Sequence, residues 1–560
     1  MYKEGRILVG KSANGEGAYL VPKMANRHGL IAGATGTGKT VTLKVLAESF
    51  SDAGVPVFFA DVKGDLAGCS QFGTMSEKIA SRLEVLGISQ DEFAMKKYPV
   101  NFWDIYAEKG MPLRTTISEM GPILLGKLMN LTDVQSDLLS VAFKIADDNE
   151  LLLIDTKDLK ALLNFMADNA KELAADYGNI TKQSIGVIIR NIVELETEGG
   201  EQFFAEPAIS ITADWLTRDC DGKGTIQILD CQKLINNPNM YATFLLWMMS
   251  ELFEILPEVG DLDRPKMVFF FDEAHLLFAN ASKTLLAKIE QVVKLIRSKG
   301  VGIYFVTQNP SDIPDGVLAQ LGNKVQHALH AYTPADQKAV KAAAMSYRVN
   351  PEFDTYTTIM ELQTGEAIVS MLDEKGVPGI AQKCVILPPQ SMMGGIDDAT
   401  RTQEINGNLL YSKYNDYFDR DSAYEFLQRR NLELAQEAEA EAERIAQEKA
   451  EAKAQAEAEK QAAREAAAAQ KAAEREAIAA QKAAEKEALA AQKAKEKQAL
   501  AQKKAVNTAV KGVASSTAGT LGRQLGKSLG SAGGSFGKTL GGNVGASLGR
   551  GIVGTLFKLK

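Results

Sequence analysis

The sequence predicts an α/β fold in which a parallel β-sheet carries polar residues at the carboxyl ends of its strands. A glycine-rich octet at 33–40 lies between an apolar run and a segment of helical character. A second apolar run, 267–271, ends in two carboxylates, and the runs 55–60 and 301–306 also end in polar residues. Buried parallel strands form such continuous apolar runs, and ligands bind at their carboxyl ends.

The octet matches the phosphate-binding pattern G-x-x-x-x-G-K-[ST] in the required strand–turn–helix context. Its glycines let the backbone wrap a phosphate, while amide groups and the following helix N-terminus face the anion. We expect Lys39 to reach the β- and γ-phosphates of ATP and the Thr40 hydroxyl to ligate Mg²⁺. The residues predicted to bind the nucleotide are Gly33, Ala34, Thr35, Gly36, Thr37, Gly38, Lys39, Thr40 and Val41.

The acidic pair after the run 267–271 predicts the second half of an ATPase site. Five apolar residues form a buried strand that delivers Asp272 and Glu273 to the ligand-binding edge of the sheet. We expect Asp272 to hold magnesium and Glu273 to polarise the attacking water. His275 lies two residues after Glu273, and the pattern is equally compatible with a role in local packing and a role in sensing.

Two further strands end in residues of interest. Asp61 either reinforces the magnesium or water shell or caps the turn that follows it. Gln308 is placed to sense the γ-phosphate. The helix 289–300 ends in basic residues, and Arg297 either satisfies the helix C-terminus or acts as an arginine finger on a neighbouring subunit's nucleotide. Arg27 and Arg114 are the next candidates for that finger.

Other histidines and the cysteines carry no predicted chemistry. His327 and His330 lack a metal-ligand pattern around them, so a structural role is expected. Four cysteines without C-x-x-C spacing are typical of a reducing compartment. The chain begins without a signal-peptide layout and has no apolar run long enough to span a bilayer. We therefore expect a cytoplasmic protein.

The chain has 560 residues, of which 45% are hydrophobic and 24% charged. The composition changes along the chain and indicates four segments. The net charge of −8 argues against a general polyanion binder, although a ring can confine basic residues to a channel. We expect short strands over 1–25, a nucleotide-binding core over 26–400, and a long helix or coiled coil over 425–505. A basic tail over 506–560 completes the chain.

The predicted long helix is rich in Ala, Glu and Lys and repeats every eleven residues, which places Ile478, Leu489 and Leu500 on one line. That period favours a straight or slightly right-handed helix over a heptad coil. A single charged helix and a coiled coil both fit the pattern, and its role is spacing or assembly.

The tail is rich in Gly, Ser and Leu and contains seven Lys and Arg residues but no Asp or Glu, a charge of about +7. Its small residues recur every four positions, which allows close helix–helix approach. Self-association, attraction to acidic membranes or nucleic acid, and a flexible tail all fit this composition.

Several boxes together resemble the HerA-like helicases of the HerA–FtsK superfamily of P-loop ATPases, with the YjgR-like bacterial branch most similar. The boxes are 26–29 (NRHG), 61–64 (DVKG), 272–275 (DEAH), 307–310 (TQNP) and 362–370 (LQTGEAIVS), and the resemblance covers 1–388. It implies a RecA/FtsK-like core with a helical insertion at about 66–222. About two dozen residues precede the phosphate-loop strand, which leaves room for a hairpin and not for the N-terminal β-barrel of better-studied members.

The resemblance further implies a hexameric ring that uses ATP and Mg²⁺ to thread double-stranded DNA, sometimes with a nuclease partner. Two other functions remain open at this point. One is a secretion- or conjugation-type motor that acts on protein. The other is a membrane-associated, ATP-gated assembly scaffold that works through the helix and the tail.

Overall fold

A computed structural model describes residues 1–260, 262–279 and 283–502 of the chain. Within these residues the strands join one 13-stranded sheet. The strands are β1 Tyr2–Lys3, β2 Arg6–Ser12, β3 Gly17–Leu20, β4 Gly29–Ala32, β5 Val57–Asp61, β6 Val100–Asp104, β7 Met111–Pro112, β8 Ile226–Asp230, β9 Met267–Phe271, β10 Val301–Thr307, β11 Asn323–Gln326, β12 Glu366–Ser370 and β13 Gln382–Ile386.

The strand order is β1-β2-β13-β12-β11-β4-β10-β9-β5-β8-β6-β7, with β3 paired to β2 outside this path. Neighbours from β11 to β7 pair in parallel, whereas β12, β13 and the three N-terminal strands add antiparallel pairs. The predicted α/β class with a mainly parallel sheet is therefore confirmed.

The helices pack on both faces of this sheet and extend beyond it. They are α1 Lys39–Asp52, α2 Glu77–Val85, α3 Ile117–Leu128, α4 Asp133–Asp148, α5 Thr156–Asp168, α6 Ala170–Tyr177, α7 Lys182–Leu195, α8 Glu201–Phe203, α9 Pro238–Ile255, α10 His275–Ala279, α11 Lys283–Ile296, α12 Asp315–Leu318, α13 Pro334–Met345, α14 Thr355–Glu361, α15 Asp398–Asn406, α16 Tyr411–Asn415 and α17 Ala423–Gln502.

Alternation along the central strands divides the core into two layers. Phe58, Phe269 and Phe305 pack in one cluster with the apolar faces of α3, α4, α5, α7, α9 and α11. Phe59 and Phe270, one residue along their strands, pack in a second cluster with α1. Successive side chains of a strand point to opposite faces, so a strand buried on both faces must be apolar throughout. This explains the continuous apolar runs of the sequence.

The segment expected as a helical insertion, about 66–222, differs from that expectation in one respect. It contributes β6 and β7 to the main sheet, and β6 pairs with β8 in parallel. Its helices α3 to α8 lie in the chain between β7 and β8. The strand 100–104 is short and partly polar, but it is buried throughout, with Trp103 in the first core cluster and Phe102 in the second.

The chain divides into two units, Met1–Leu427 and a second unit from Gln428 onward. The second unit, as far as it is described, is the continuation of α17, and Ile478 and Leu489 are about half exposed there. At about 1.5 Å per residue, the 80 residues of α17 give a length of about 120 Å. Among the described residues no helix combines the length and apolarity needed to cross a bilayer. The predicted tail, 506–560, lies outside the described residues.

Candidate nucleotide-binding site

The phosphate loop joins β4 to α1, which begins at Lys39. Gly36 and Gly38 have φ angles of 78° and 115°, in the left-handed region that favours glycine. The Lys39 ammonium group donates to the carbonyl oxygens of Gly33 and Ala34, at 2.7 and 3.0 Å. Burial lowers the pKa of Lys39, and the neighbouring Lys63 ammonium adds to this effect.

The His327 side chain links α1, the helix that follows the phosphate loop, to the first residue of β12. Its Nε2 lies 2.8 Å from the Thr42 hydroxyl on α1, and its Nδ1 lies 2.9 Å from the carbonyl oxygen of Glu366. Burial lowers the pKa of His327 to about 4, which keeps the ring neutral. The Gly365 amide donates to the Thr37 carbonyl at 3.0 Å, so the loop before β12 also contacts the phosphate loop.

The expected structural role fits these contacts of His327. His330 is exposed, and its ring centroid lies 5.7 Å from that of Tyr332. Within the part of the chain that the structure describes, no cluster of three or more His, Cys, Asp and Glu residues has metal-binding geometry.

The acidic pair lies directly after β9, and both residues are 6% exposed. Glu273 has a φ of 47°, an uncommon value for a residue with a side chain. The Asp272 carboxylate accepts the Glu273 amide at 2.9 Å, and the Tyr241 hydroxyl donates to the Asp272 carbonyl at 3.1 Å. Burial raises the pKa of Asp272 to about 6, against the opposing charge of Lys63.

Three side chains surround the Glu273 carboxylate. Lys63 Nζ lies 2.8 Å from Oε1, Gln308 Nε2 lies 3.3 Å from Oε2, and His275 Nδ1 lies 3.4 Å from Oε2. Burial acts to raise the pKa of Glu273, but the hydrogen bond and charge of Lys63, with the smaller effects of Gln308 and His275, hold it below its ordinary value. The carboxylate is therefore ionised in the neutral pH range.

Gln308 also contacts the phosphate loop. Its Oε1 accepts the Thr35 hydroxyl at 3.4 Å, at the long end of hydrogen-bond distances. This follows from the strand order, because β10 lies between β4, which leads into the loop, and β9, which ends at the acidic pair. Residues predicted separately from three strands thus meet at one edge of the sheet.

Asp61 is almost fully buried, and its carboxylate caps the turn that follows β5. Its Oδ1 accepts the amides of Gly64 and Lys63 at 2.8 and 3.3 Å, and its Oδ2 accepts the Leu66 amide at 3.1 Å. Burial raises the pKa of Asp61 to about 7, and the charge of Asp65 adds to it. These contacts match the capping alternative, and a metal role for Asp61 stays a prediction.

The arginine candidates lie away from this edge. Arg297 precedes the amino end of β10, so the length of that strand, about 20 Å, separates it from Gln308. Arg297 therefore serves a nucleotide site only in another subunit, which stays a prediction. Arg114 is buried and donates to the Tyr414 carbonyl at 2.8 Å within its own chain, and its role as a finger stays a prediction.

Sequence reasoning missed Lys63 and the Gly365 amide as parts of this site. Lys63 lies in the box 61–64, in which a role was predicted for the aspartate alone. The signal that could have indicated it is a lysine two residues after a carboxylate at the end of a buried strand. Gly365 acts through its backbone, which leaves no clue in residue type.

The family model described as Helicase HerA-like C-terminal matches residues 6–539, nearly the whole chain. The chain belongs to the HerA-like helicase family. Family membership and the geometry of the loop indicate a helicase-like P-loop ATPase. One relative is the DNA double-strand break repair helicase HerA of Sulfurisphaera tokodaii, which is 24% identical over 378 residues, covering 66% of this HerA-like chain and 67% of the relative.

Two solved structures match this chain in part, each with a TM-score below 0.5. The plasmid coupling protein TrwB, in complex with a non-hydrolysable ATP analogue, has a TM-score of 0.47 and 17% identity, covering 71% of this chain and 92% of that one. VirB4 of Thermoanaerobacter pseudethanolicus has a TM-score of 0.43 and 15% identity, and the match covers 69% of this chain and 97% of VirB4. The fold assignment of the HerA-like chain rests on its own strand order.

Proposed function

We propose that this HerA-like protein is an ATP-hydrolysing motor that works as a homohexameric ring on double-stranded DNA in the cytoplasm. The observation that carries the proposal is the contact of Gln308 with both Glu273 and Thr35. Through it, a well-placed carboxylate, a polar sensor and a phosphate-binding loop form one continuous site.

The residues present fit ATP with magnesium. The left-handed glycines, Gly36 and Gly38, let the loop backbone curve so that its amides face a phosphate. Lys39 is the charged donor for the β- and γ-phosphates, and it exchanges its carbonyl partners for phosphate oxygens. Thr40 and Asp272 are hard oxygen ligands of the type that Mg²⁺ prefers, and Asp61 stays a further candidate. When bound, the metal neutralises charge on the phosphates.

Glu273 is the proposed general base. It takes a proton from the water whose oxygen attacks the γ-phosphorus, while the bond between that phosphorus and the β–γ bridging oxygen breaks. Its ionised state at neutral pH suits this task. Gln308 orients the water and senses the γ-phosphate, and an arginine finger from a neighbouring subunit, with Arg297 as the first candidate, stabilises the developing charge.

Duplex DNA is the proposed substrate because the matched relative from S. tokodaii is named a DNA repair helicase. A nuclease partner is proposed only from the resemblance of the sequence boxes to the HerA-like helicases. The protein-motor and membrane-scaffold alternatives predict ATP hydrolysis without a response to DNA, so they are outcomes of the same experiment.

The decisive experiment is the steady-state ATPase rate of the full chain with and without duplex DNA. Glu273→Gln is the control, since it keeps the side-chain shape and removes the base. We expect strong stimulation by DNA that falls steeply with salt, because phosphate contacts release counterions. Basal hydrolysis that ignores DNA would contradict the DNA motor and favour a protein or membrane client. Equal rates in parent and Glu273→Gln would overturn the assignment of the base.

A further inference from the structure

Lys63 lies in the site and is charged, but the proposed mechanism assigns it no role. Its ammonium nitrogen lies 2.8 Å from Glu273 Oε1, the shortest of the three side-chain contacts of that carboxylate. The lysine side chain is 43% exposed, whereas that of Glu273 is 8% exposed. The pair thus consists of a nearly buried carboxylate and a cation that approaches it from the solvent side.

The turn that carries Lys63 is held in place. Asp61 accepts the backbone amides of Lys63 and Gly64, and Gly64 has a φ of 75°. This φ lies in the left-handed region that favours glycine, so another residue at this position would strain the turn. The hydrogen bonds to Asp61 thus hold the backbone from which the Lys63 side chain reaches Glu273.

Glu273, in contrast, has a backbone conformation that costs energy for a residue with a side chain. Such a residue keeps its orientation only when its surroundings hold it. Gln308 and His275 contact Oε2 at 3.3 and 3.4 Å, which are long distances, while Lys63 makes the close, charged contact with Oε1.

We propose that Lys63 is a positioning residue, whose ammonium group holds Glu273 Oε1 and thereby fixes the orientation of the carboxylate that takes the proton from the attacking water. The inference rests on the proposed function of Glu273 as the base. In this arrangement Lys63 contributes to the rate of hydrolysis and not to nucleotide binding, because it acts through the carboxylate.

The test compares Lys63→Gln and Lys63→Arg with a matched control, Lys413→Gln. Lys413 pairs with Asp214 at 2.6 Å with side-chain exposures of 44% and 8%, nearly the same as in the pair of Lys63 and Glu273. It lies on α16, which packs against the edge strand β7, away from the phosphate loop. The control therefore reports the stability cost of breaking an equivalent ion pair.

For Lys63→Gln we expect kcat to fall about tenfold or more, with KM for ATP and the Kd of a fluorescent ATP analogue unchanged. Lys63→Arg should recover a substantial part of kcat, since it restores the charge. Lys413→Gln should lower thermal stability by a similar amount to Lys63→Gln and keep the parent kcat.

A parent-like kcat in Lys63→Gln would overturn the inference, and a raised kcat would do so too by showing that the ion pair restrains the base. A weakened Kd for nucleotide would assign Lys63 to phosphate binding instead. If the parent hydrolyses ATP, Glu273→Gln does not, and Lys63→Gln matches the parent, only the positioning role fails. If parent and Glu273→Gln are equally active, the proposed function of Glu273 itself fails.

Discussion

Gln308 and Glu273 leave neighbouring parallel strands and meet side chain to side chain, with the Gln308 amide nitrogen 3.3 Å from Glu273 Oε2. The oxygen of the same amide group, Gln308 Oε1, accepts the Thr35 hydroxyl of the phosphate loop. The Gln308 side chain thus contacts both the phosphate loop and the carboxylate, as its proposed role in sensing the nucleotide requires.

Replacing Gln308 by alanine should lower kcat for ATP hydrolysis about tenfold while KM changes little, because the variant loses the orientation of the water and keeps the phosphate-binding loop. Steady-state kinetics on the full chain measures both constants. Gln337→Ala, an exposed position on α13, is the control. A variant that lost affinity with an unchanged kcat would assign Gln308 to nucleotide binding alone.

Lys39→Met should weaken nucleotide binding at least about 30-fold, since hydrogen bonds to a charged donor contribute about 2 kcal/mol or more. Titration with a fluorescent ATP analogue measures this, and circular dichroism checks that the fold is retained. Normal ATP affinity in a folded Lys39→Met protein would disprove the assignment of the phosphate loop.

His28 predicts a dependence of stability on pH. Its Nε2 donates to the Val293 carbonyl at 2.8 Å and its Nδ1 accepts the Ile303 amide at 3.0 Å, so the buried ring is neutral. Burial lowers the pKa of His28 from 6.5 to about 4. As the pH falls the unfolded chain binds the proton first. The stabilisation is thus complete above about pH 6.5 and is lost toward pH 4, at a cost of up to about 3 kcal/mol.

The measurement is the free energy of unfolding of the parent and of His28→Asn between pH 4 and 7.5. Asparagine keeps a hydrogen-bond donor and an acceptor in a side chain that does not titrate. The variant should be less stable than the parent at pH 7, and the difference between their free energies of unfolding should narrow toward pH 4. His330→Asn, at an exposed position, should leave the pH profile of the parent unchanged. A gap that stayed constant over this range would contradict the neutral, buried state of His28.

The Glu48 side chain links the segment 390–392 to α1, the helix that follows the phosphate loop. Its buried carboxylate accepts the amides of Gln390 and Ser391 at 2.7 and 3.0 Å, and Lys44, one turn earlier, donates to the Met392 carbonyl. Glu48→Ala should lower the free energy of unfolding by about 2–4 kcal/mol, since it leaves buried donors without a partner.

Chemical denaturation checks the prediction for Glu48, with Glu84→Ala at an exposed site of α2 as the control. The control should change stability by less than about 0.5 kcal/mol. Equal stabilities of the two variants would show that the 390–392 segment is held by other contacts.

Much of the site was predictable from local patterns. The octet 33–40 carries its own strand, turn and helix, and the run 267–271 ends in its carboxylates, so each half of the site is legible within about ten residues. The apolar runs also predicted four of the parallel strands, because a strand covered on both faces has no position for polar side chains. These features depend on residues close together in the chain.

Tertiary structure alone decided the rest, because contacts between distant residues follow from strand order and not from local pattern. Lys63 and Glu273 are 210 residues apart and meet because β5 and β9 are neighbours. In the same way, Arg114 donates to the carbonyl of Tyr414, 300 residues later in the chain, and β6 joins the sheet by pairing with β8. The sequence by itself determined which chemistry the chain carries, and the order of the strands determined which side chains carry it out together.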